Sequence, residues 1–206
     1  MVSYAAPEAR GVSSFCSLAA WIGATTVAAA TLLFSTSGSA AGLTPWTGPS
    51  PPTFALPQFA RAPGESIALS SQHGDVILVH FFASWCEPCR DELPALQRLA
   101  ERGTPSLRVL AIAVADSSAP LNRLVEATGV TFPILMDRDR AVARDWTVST
   151  LPSTVVLDSR HVARLFVESD FAWDTIEPTR LIERAISQGH AVQQSLVIQG
   201  GQPHAR

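Results

Sequence analysis

Residues 76–96 read VILVHFFASWCEPCRDELPAL. The first eight, VILVHFFA, form an apolar run broken only by His80, and β-branched and aromatic residues dominate it. Such a run reads as a central strand buried on both faces. The pattern changes at Pro88. Leu93, Leu96, Leu99 and Ala100 then recur at helical spacing, and Gly103 is a plausible stop. A buried strand therefore runs into a helix, and two cysteines two residues apart sit at the junction.

That position suits redox chemistry. A helix N-terminus presents unbonded N–H groups and a partial positive charge, which stabilise a thiolate and lower a cysteine pKa. Cys86 comes first, at the exposed junction, and is the expected attacking thiol. Cys89 lies one helical turn on and can reach back to close a Cys86–Cys89 disulfide. Pro88 has no N–H to lose in a first helical turn, where that group is unbonded anyway. Glu87 sets a negative charge beside the nucleophile, opposes thiolate formation and favours a more reducing pair. A lone CxxC also fits an inert disulfide or half of a zinc site. Zinc needs two more ligands, and His73, His80, His161, His190 and His204 show no metal-ligand spacing. CxxC beside a β–α–β pattern favours the redox-active dithiol.

Downstream, LRVLAIAVA at 107–115 is a second apolar strand. Residues 119–128 form a helix closed by Gly129. FPILMD at 132–137 is a short strand, followed by a helix over 138–146. STVVLD at 153–158 and HVARLFV at 161–167 read as an antiparallel hairpin with a tight turn at Ser159-Arg160. Leu181, Ile182, Ala185 and Ile186 give the last helix its apolar stripe. Residues 190–206 show little pattern and are expected to form a flexible tail. The alternation of strands and helices, closed by a hairpin and a helix, means an α/β fold with a mixed sheet and helices on both faces.

Upstream, SLAAWIGATTVAAATLLF at 17–34 carries no charge. A short polar stretch precedes it, and the small residues STSGSAAG follow. This is the order of a secretory signal, with Ser39 and Ala41 suited to a cleavage site before Gly42. The span is also near the minimum for an uncleaved membrane anchor. Either reading of residues 1–41 places the rest of the chain outside the cytoplasm. Cys16 lies in this leader. Residues 42–52 contain TPWTGPSPP, a Pro/Gly-rich linker expected to run extended without ladder bonds. The folded domain is expected over 53–189.

The chain has 206 residues and a formal net charge of −3, from 15 basic and 18 acidic side chains. That balance lacks the clustered basic surface nucleic acid requires.

Two separated segments carry a family resemblance: VILVHFFASWCEPCRDELPAL and FPILMDRDRAVARDWTVSTLPSTVVLD. Over about residues 53–187 the chain resembles the TlpA/ResA-like reductases of the thioredoxin superfamily. The resemblance implies a thioredoxin-like fold. Trp85 matches the aromatic before the first cysteine, and Pro94 the proline of the active-site helix. Pro152 matches the cis-proline facing the CxxC. The implied consequence is that the backbone edge at Leu151 pairs with a substrate peptide beside Cys86. Glu92 shares a helix face with Cys89. A glutamate at the matching position of ResA-like proteins assists the cysteine pair, so Glu92 is the candidate proton relay. His80 departs from the pattern, which has an acid or Asn there. It reads as a satisfied core histidine, a modulator of the thiolate, or a soft-metal ligand.

The leading expectation is a periplasmic thiol–disulfide oxidoreductase, soluble or anchored by residues 17–34, that reduces disulfides of exported proteins and needs no cofactor. The resemblance implies cytochrome c or copper-protein maturation as settings, and a membrane dithiol donor of the DsbD/CcdA type as electron source. Membrane contact is expected only through the N-terminal segment. The alternatives are a copper carrier using Cys86, Cys89 and His80 or His161, and a peroxidase. The peroxidase fits less well, because Cys86 has a partner and no Thr sits in the preceding turn.

Overall fold

The computed structural model describes residues 42–60, 65–103 and 105–200, with side chains to Gly189. The leader 1–41 with Cys16, and residues 201–206, lie outside the described residues.

In chain order the elements are β1 (Thr44–Pro45), β2 (Ala55–Pro57), β3 (Ser66–Ala68) and β4 (Val76–Phe82). Then come α1 (Glu87–Gly103), β5 (Leu107–Val114), α2 (Ser118–Thr128) and β6 (Ile134–Asp137). The last are α3 (Ala141–Asp145), β7 (Ser153–Asp158), β8 (Ala163–Val167) and α4 (Pro178–Gly200). Six strands form one mixed sheet in the order β1-β8-β7-β4-β5-β6. Strands β4, β5 and β6 are parallel, while β7 pairs antiparallel with β4. β2 and β3 form a separate two-stranded sheet.

β4 lies in the middle because all seven of its residues are buried. Its odd residues Ile77, Val79 and Phe81 pack on one face with Phe54, Val142 and Trp146. Its even residues Val76 and Leu78 pack on the other with Leu96 and Leu99 of α1 and Leu181 and Ala185 of α4. Phe82 joins Leu93 of α1 and Leu121 of α2 on that same side. The two-residue period of a strand thus assigns α3 to one face and α1, α2 and α4 to the other. Gly129 closes α2 in the left-handed conformation, with φ 66°, the geometry glycine adopts without steric cost.

Four expectations are corrected. Residues 42–52 are not a free linker. Thr44 and Pro45 pair with Phe166 and Leu165, and the Trp46 N–H donates to the Arg164 carbonyl at 2.9 Å. Proline is tolerated there because β1 is an edge strand, where one N–H is not needed by the ladder. The expected helix over 138–146 shrinks to Ala141–Asp145. The buried Asp137 carboxylate accepts the N–H groups of Val142 (3.2 Å) and Ala143 (2.8 Å), which holds the preceding residues in a turn. The hairpin turn is wider than Ser159-Arg160, and β8 begins at Ala163. Asp158 accepts from the backbone of Arg160 at 2.9 Å and of Val162 at 3.0 Å, and His161 adopts a left-handed φ of 60°. Such carboxylate-to-backbone bonds build a longer turn. Finally, α4 runs on to Gly200, where an irregular tail was expected after Gly189. Ala191, Gln193, Gln194 and Leu196 are good helix formers, and extending a nucleated helix is cheap.

Candidate active site

Cys86 follows the C-terminal end of β4, and α1 begins at the next residue, Glu87. The two sulfurs are bonded, with an S–S distance of 2.04 Å. Their environments differ. Cys86 keeps 7% of its surface exposed and Cys89 none. Only Cys86 is open to an incoming sulfur. The Cys89 backbone N–H points at Cys86 Sγ, 3.3 Å away. In the reduced pair that N–H, with the helix N-terminus around it, stabilises a thiolate on Cys86. Glu87, Pro88, Arg90 and Asp91 are exposed, and so is Trp85, at 67%.

The loop before Cys86 is tied by a residue that sequence reading missed. Asp116, two residues past β5, accepts from the Ser84 backbone N–H at 2.5 Å and from the Ser84 hydroxyl at 2.8 Å. It also takes the Ser117 N–H at 2.7 Å. Parallel β4 and β5 end side by side, with Phe82 opposite Ala113. An acid just past one strand therefore lands beside the loop leaving the other. That adjacency at the C-terminal ends of parallel strands was the available signal.

The Leu151–Pro152 peptide bond is cis. Thr150 and Leu151 share with Trp85, Cys86 and Pro88 the wall of a cavity of about 310 Å³. The fold brings the two separated motifs together there.

Glu92 lies on the buried side of α1 with Cys89, Leu93 and Leu96. It is only 5% exposed. Its Oε1 accepts from the indole N–H of Trp173, and its Oε2 has no hydrogen-bond partner among the described residues. Burial pushes its pKa up to about 8; Asp170 adds to the rise, while Trp173 and the Phe171 backbone oppose it. Trp173 is 81 residues away in sequence, and no local pattern announced the pairing. Glu92 also lines a second cavity, of about 250 Å³, with Asp91 and Asp170.

His80 is fully buried on the α1 side of β4, stacked on Phe82 with ring centroids 5.9 Å apart. Its Nδ1 lies 2.9 Å from Thr154 Oγ1, and its Nε2 has no partner among the described residues. Burial lowers its pKa to about 3, so the imidazole is neutral. His161 sits at the far end of the sheet. It follows Asp158, which pairs with Val76 at the start of β4, whereas Cys86 follows the other end. At the rise of a strand that separation is on the order of 20 Å. Its Nε2 lies 3.0 Å from the Gln72 carbonyl oxygen. Among the described residues no group of three His, Cys, Asp or Glu side chains is arranged to hold a metal ion. The copper-carrier reading is not favoured.

Comparison with known proteins agrees with this geometry. The chain is 32% identical over 102 residues to the thioredoxin-like protein YneN of Bacillus subtilis, covering 48% of this chain and 59% of that protein. It is 30% identical over 96 residues to the thiol-disulfide oxidoreductase ResA of the same organism, covering 46% and 54%. The match thus spans little more than half the length of these relatives. Among solved structures, a secreted thiol-disulfide isomerase of Corynebacterium glutamicum superposes with a TM-score of 0.57 at 24% identity, covering 75% of this chain and 94% of that one. StoA of Bacillus subtilis gives 0.52 at 21%, covering 61% and 93%. These likenesses establish the thioredoxin-like fold. Residues 48–165, more than half of the chain and including both separated motifs, match the AhpC/TSA family, and the chain belongs to that family.

Proposed function

We propose that this protein is a thiol–disulfide oxidoreductase that reduces disulfides in proteins outside the cytoplasm. The observation that carries the reading is the asymmetry of the pair: an accessible Cys86 at a helix N-terminus and a sealed Cys89 behind it. In the reducing direction the Cys86 thiolate attacks a substrate disulfide. The substrate S–S bond breaks, a mixed disulfide forms, and one substrate sulfur leaves as a thiol. Cys89 then loses its proton and attacks Cys86 Sγ, which releases the second substrate thiol. Two electrons have passed from the pair to the substrate, and the pair is left as the disulfide.

Glu92, in its ionised form, is the proposed acceptor of the Cys89 proton. A carboxyl with a pKa of about 8 lies close to an ordinary thiol at about 8.5, so transfer between them is nearly balanced. The cavity with Asp91 and Asp170 gives that proton a way out beside α1. Leu151 and cis-Pro152 are the proposed edge for the substrate chain, with the exposed Trp85 beside the reacting sulfur. Re-reduction requires an external dithiol, for which a membrane carrier of the DsbD/CcdA type is the proposed donor. The leader 1–41 supports export to the periplasm. The family resemblance supports apocytochrome c or copper-protein maturation as the setting. Pairing of Cys86 with Cys89 disfavours a peroxidase, which needs a lone nucleophile.

The test is trapping. Cys89→Ser removes the resolving thiol and is expected to accumulate a mixed disulfide with exported proteins, whereas Cys86→Ser accumulates none. Equal trapping by both variants, or by neither, overturns the reading. Dithiothreitol titration of the pair tests the direction: a potential near or below about −250 mV fits a reductant, and one near about −120 mV an oxidant.

A further inference from the structure

We infer that the cavity beside Cys86 selects polypeptides with an acidic side chain close to the reacting cysteine, and that Arg140 reads that charge. This rests on the thiol-exchange reading above and adds the substrate's chemistry to it.

The walls next to Cys86 are mostly apolar, with Trp85 and Pro88 on one side and Ala143, Val148 and Leu151 on the other. Arg140 is the one charged residue on this lining. It is exposed, and among the described residues its guanidinium makes no hydrogen bond or ion pair. Its neighbours are engaged elsewhere: Arg138 with the Ser118 hydroxyl at 3.2 Å, and Arg144 with the Asp139 carbonyl at 2.7 Å. Arg140 is also held in place. It occupies the left-handed region with φ 62° at the start of α3, whose following N–H groups are gripped by the buried Asp137 carboxylate. A long side chain in a backbone conformation that favours glycine, at the rim of a reactive groove, is a reason to look for function.

The surrounding charges give the groove a direction. Glu87, next to Cys86, is exposed, and on the flank of α1 that carries Asp91 a cavity is lined by Asp91 and Asp170, the Glu92 beside them being held neutral by burial. An acidic side chain near the substrate cysteine meets repulsion on that flank and a free guanidinium on the Arg140 side. The guanidinium is shaped to take a carboxylate through two N–H groups. An apolar neighbour of the substrate cysteine fits the walls between them.

The test uses the full-length chain carrying Cys16→Ser, fully reduced, in single turnover. The probes are two peptides, each with one cysteine held as its mixed disulfide with thionitrobenzoate, alike except for Asp or Lys two residues from the cysteine. Cys86 attacks the peptide sulfur, thionitrobenzoate leaves as a coloured thiolate, and Cys89 then displaces the peptide thiol, leaving the pair oxidised. The Asp peptide is expected to react about threefold to tenfold faster at low salt, as for an exposed charge contact, and less so as salt rises. Arg140→Gly, which suits the backbone conformation, is expected to remove the preference, and Arg140→Glu to reverse it. Equal rates for the two peptides, or a preference that survives Arg140→Glu, overturn the inference alone. Failure of both peptides to release thionitrobenzoate in a Cys86-dependent way overturns the thiol-exchange reading with it.

Discussion

At the residue scale, Glu92 is a buried carboxyl with a raised pKa beside the cysteine pair's helix face. Its Oε1 is satisfied by Trp173 and its Oε2 is buried without a partner among the described residues. An unpartnered oxygen of this kind favours the neutral acid. The consequence for stability has a definite sign. Above the ordinary carboxylate pKa of 4.5 the unfolded chain has released this proton, while the folded chain keeps it up to about pH 8. The native state therefore binds more protons in that window, and stability falls as pH rises through it. Glu92→Gln, which mimics the neutral acid, is expected to flatten this part of a urea stability-versus-pH curve. Parallel curves for the two proteins would remove the raised pKa. In exchange kinetics the same variant is expected to slow resolution of the mixed disulfide by about 10²-fold at neutral pH, while attack by Cys86 is spared. His80 supplies the contrast. It is equally buried, but burial holds it neutral down to about pH 3, so it changes charge nowhere near the working range.

At the scale of elements, the β7–β8 hairpin is held by an ion pair more than by its turn residues. Arg164 Nε and Nη2 both donate to Asp158 Oδ2, at 2.9 and 2.7 Å. Both side chains are buried, Asp158 at 6% exposure and Arg164 at 7%. The same carboxylate orders the turn through the backbone of Arg160 and Val162. Asp158→Ala is expected to cost about 3–5 kcal/mol, because it strands a buried guanidinium. Replacing both partners, as Asp158→Ala with Arg164→Met, is expected to recover part of that loss in urea denaturation. A double variant as unstable as the single one would mean that the turn bonds, not the stranded charge, set the cost. The turn has no glycine, and its left-handed residue is His161. The carboxylate network replaces the usual turn chemistry.

At the scale of the whole molecule, residues 42–52 are part of the domain. Leu43 is buried in the α1/α4 core, and Trp46 meets Phe166 edge-on, with ring centroids 5.5 Å apart. The Trp146 indole N–H donates to the Pro52 carbonyl at 3.0 Å, and Arg184 donates to the Leu43 carbonyl. A chain starting at Thr53 loses these contacts and uncovers the β8 edge. Compared with one starting at Gly42, it is expected to be less stable by about 3 kcal/mol or more, from the lost burial of Leu43 and one unpaired indole N–H on Trp146. An unchanged urea midpoint would return residues 42–52 to the status of a linker.

The strands and helices that carry the thiols were legible because their information is local. The run from Val76 to Ala83 is apolar whatever it packs against, and the CxxC at its end needs no distant residue to be read. The helical period after Pro88 placed Glu92 on the face of Cys89, and the second motif marked Pro152. Other features depend on contacts between residues far apart in sequence, which no local pattern encodes. Thr44–Pro45 is a strand only because β8 offers an open edge, and β2 and β3 exist only by pairing with each other. Glu92 is a high-pKa acid only because the packed chain buries it beside Asp170, against the opposing hydrogen bonds of Trp173 and the Phe171 backbone, and Asp116 is a tether only because β4 and β5 end together. Periodicity and residue type determined which segments are buried strands and placed the CxxC at the junction of strand and helix. Tertiary structure alone decided which charges lose water, which edges are covered and which side chains face Cys86, because desolvation and edge pairing belong to the packed chain and not to any one segment.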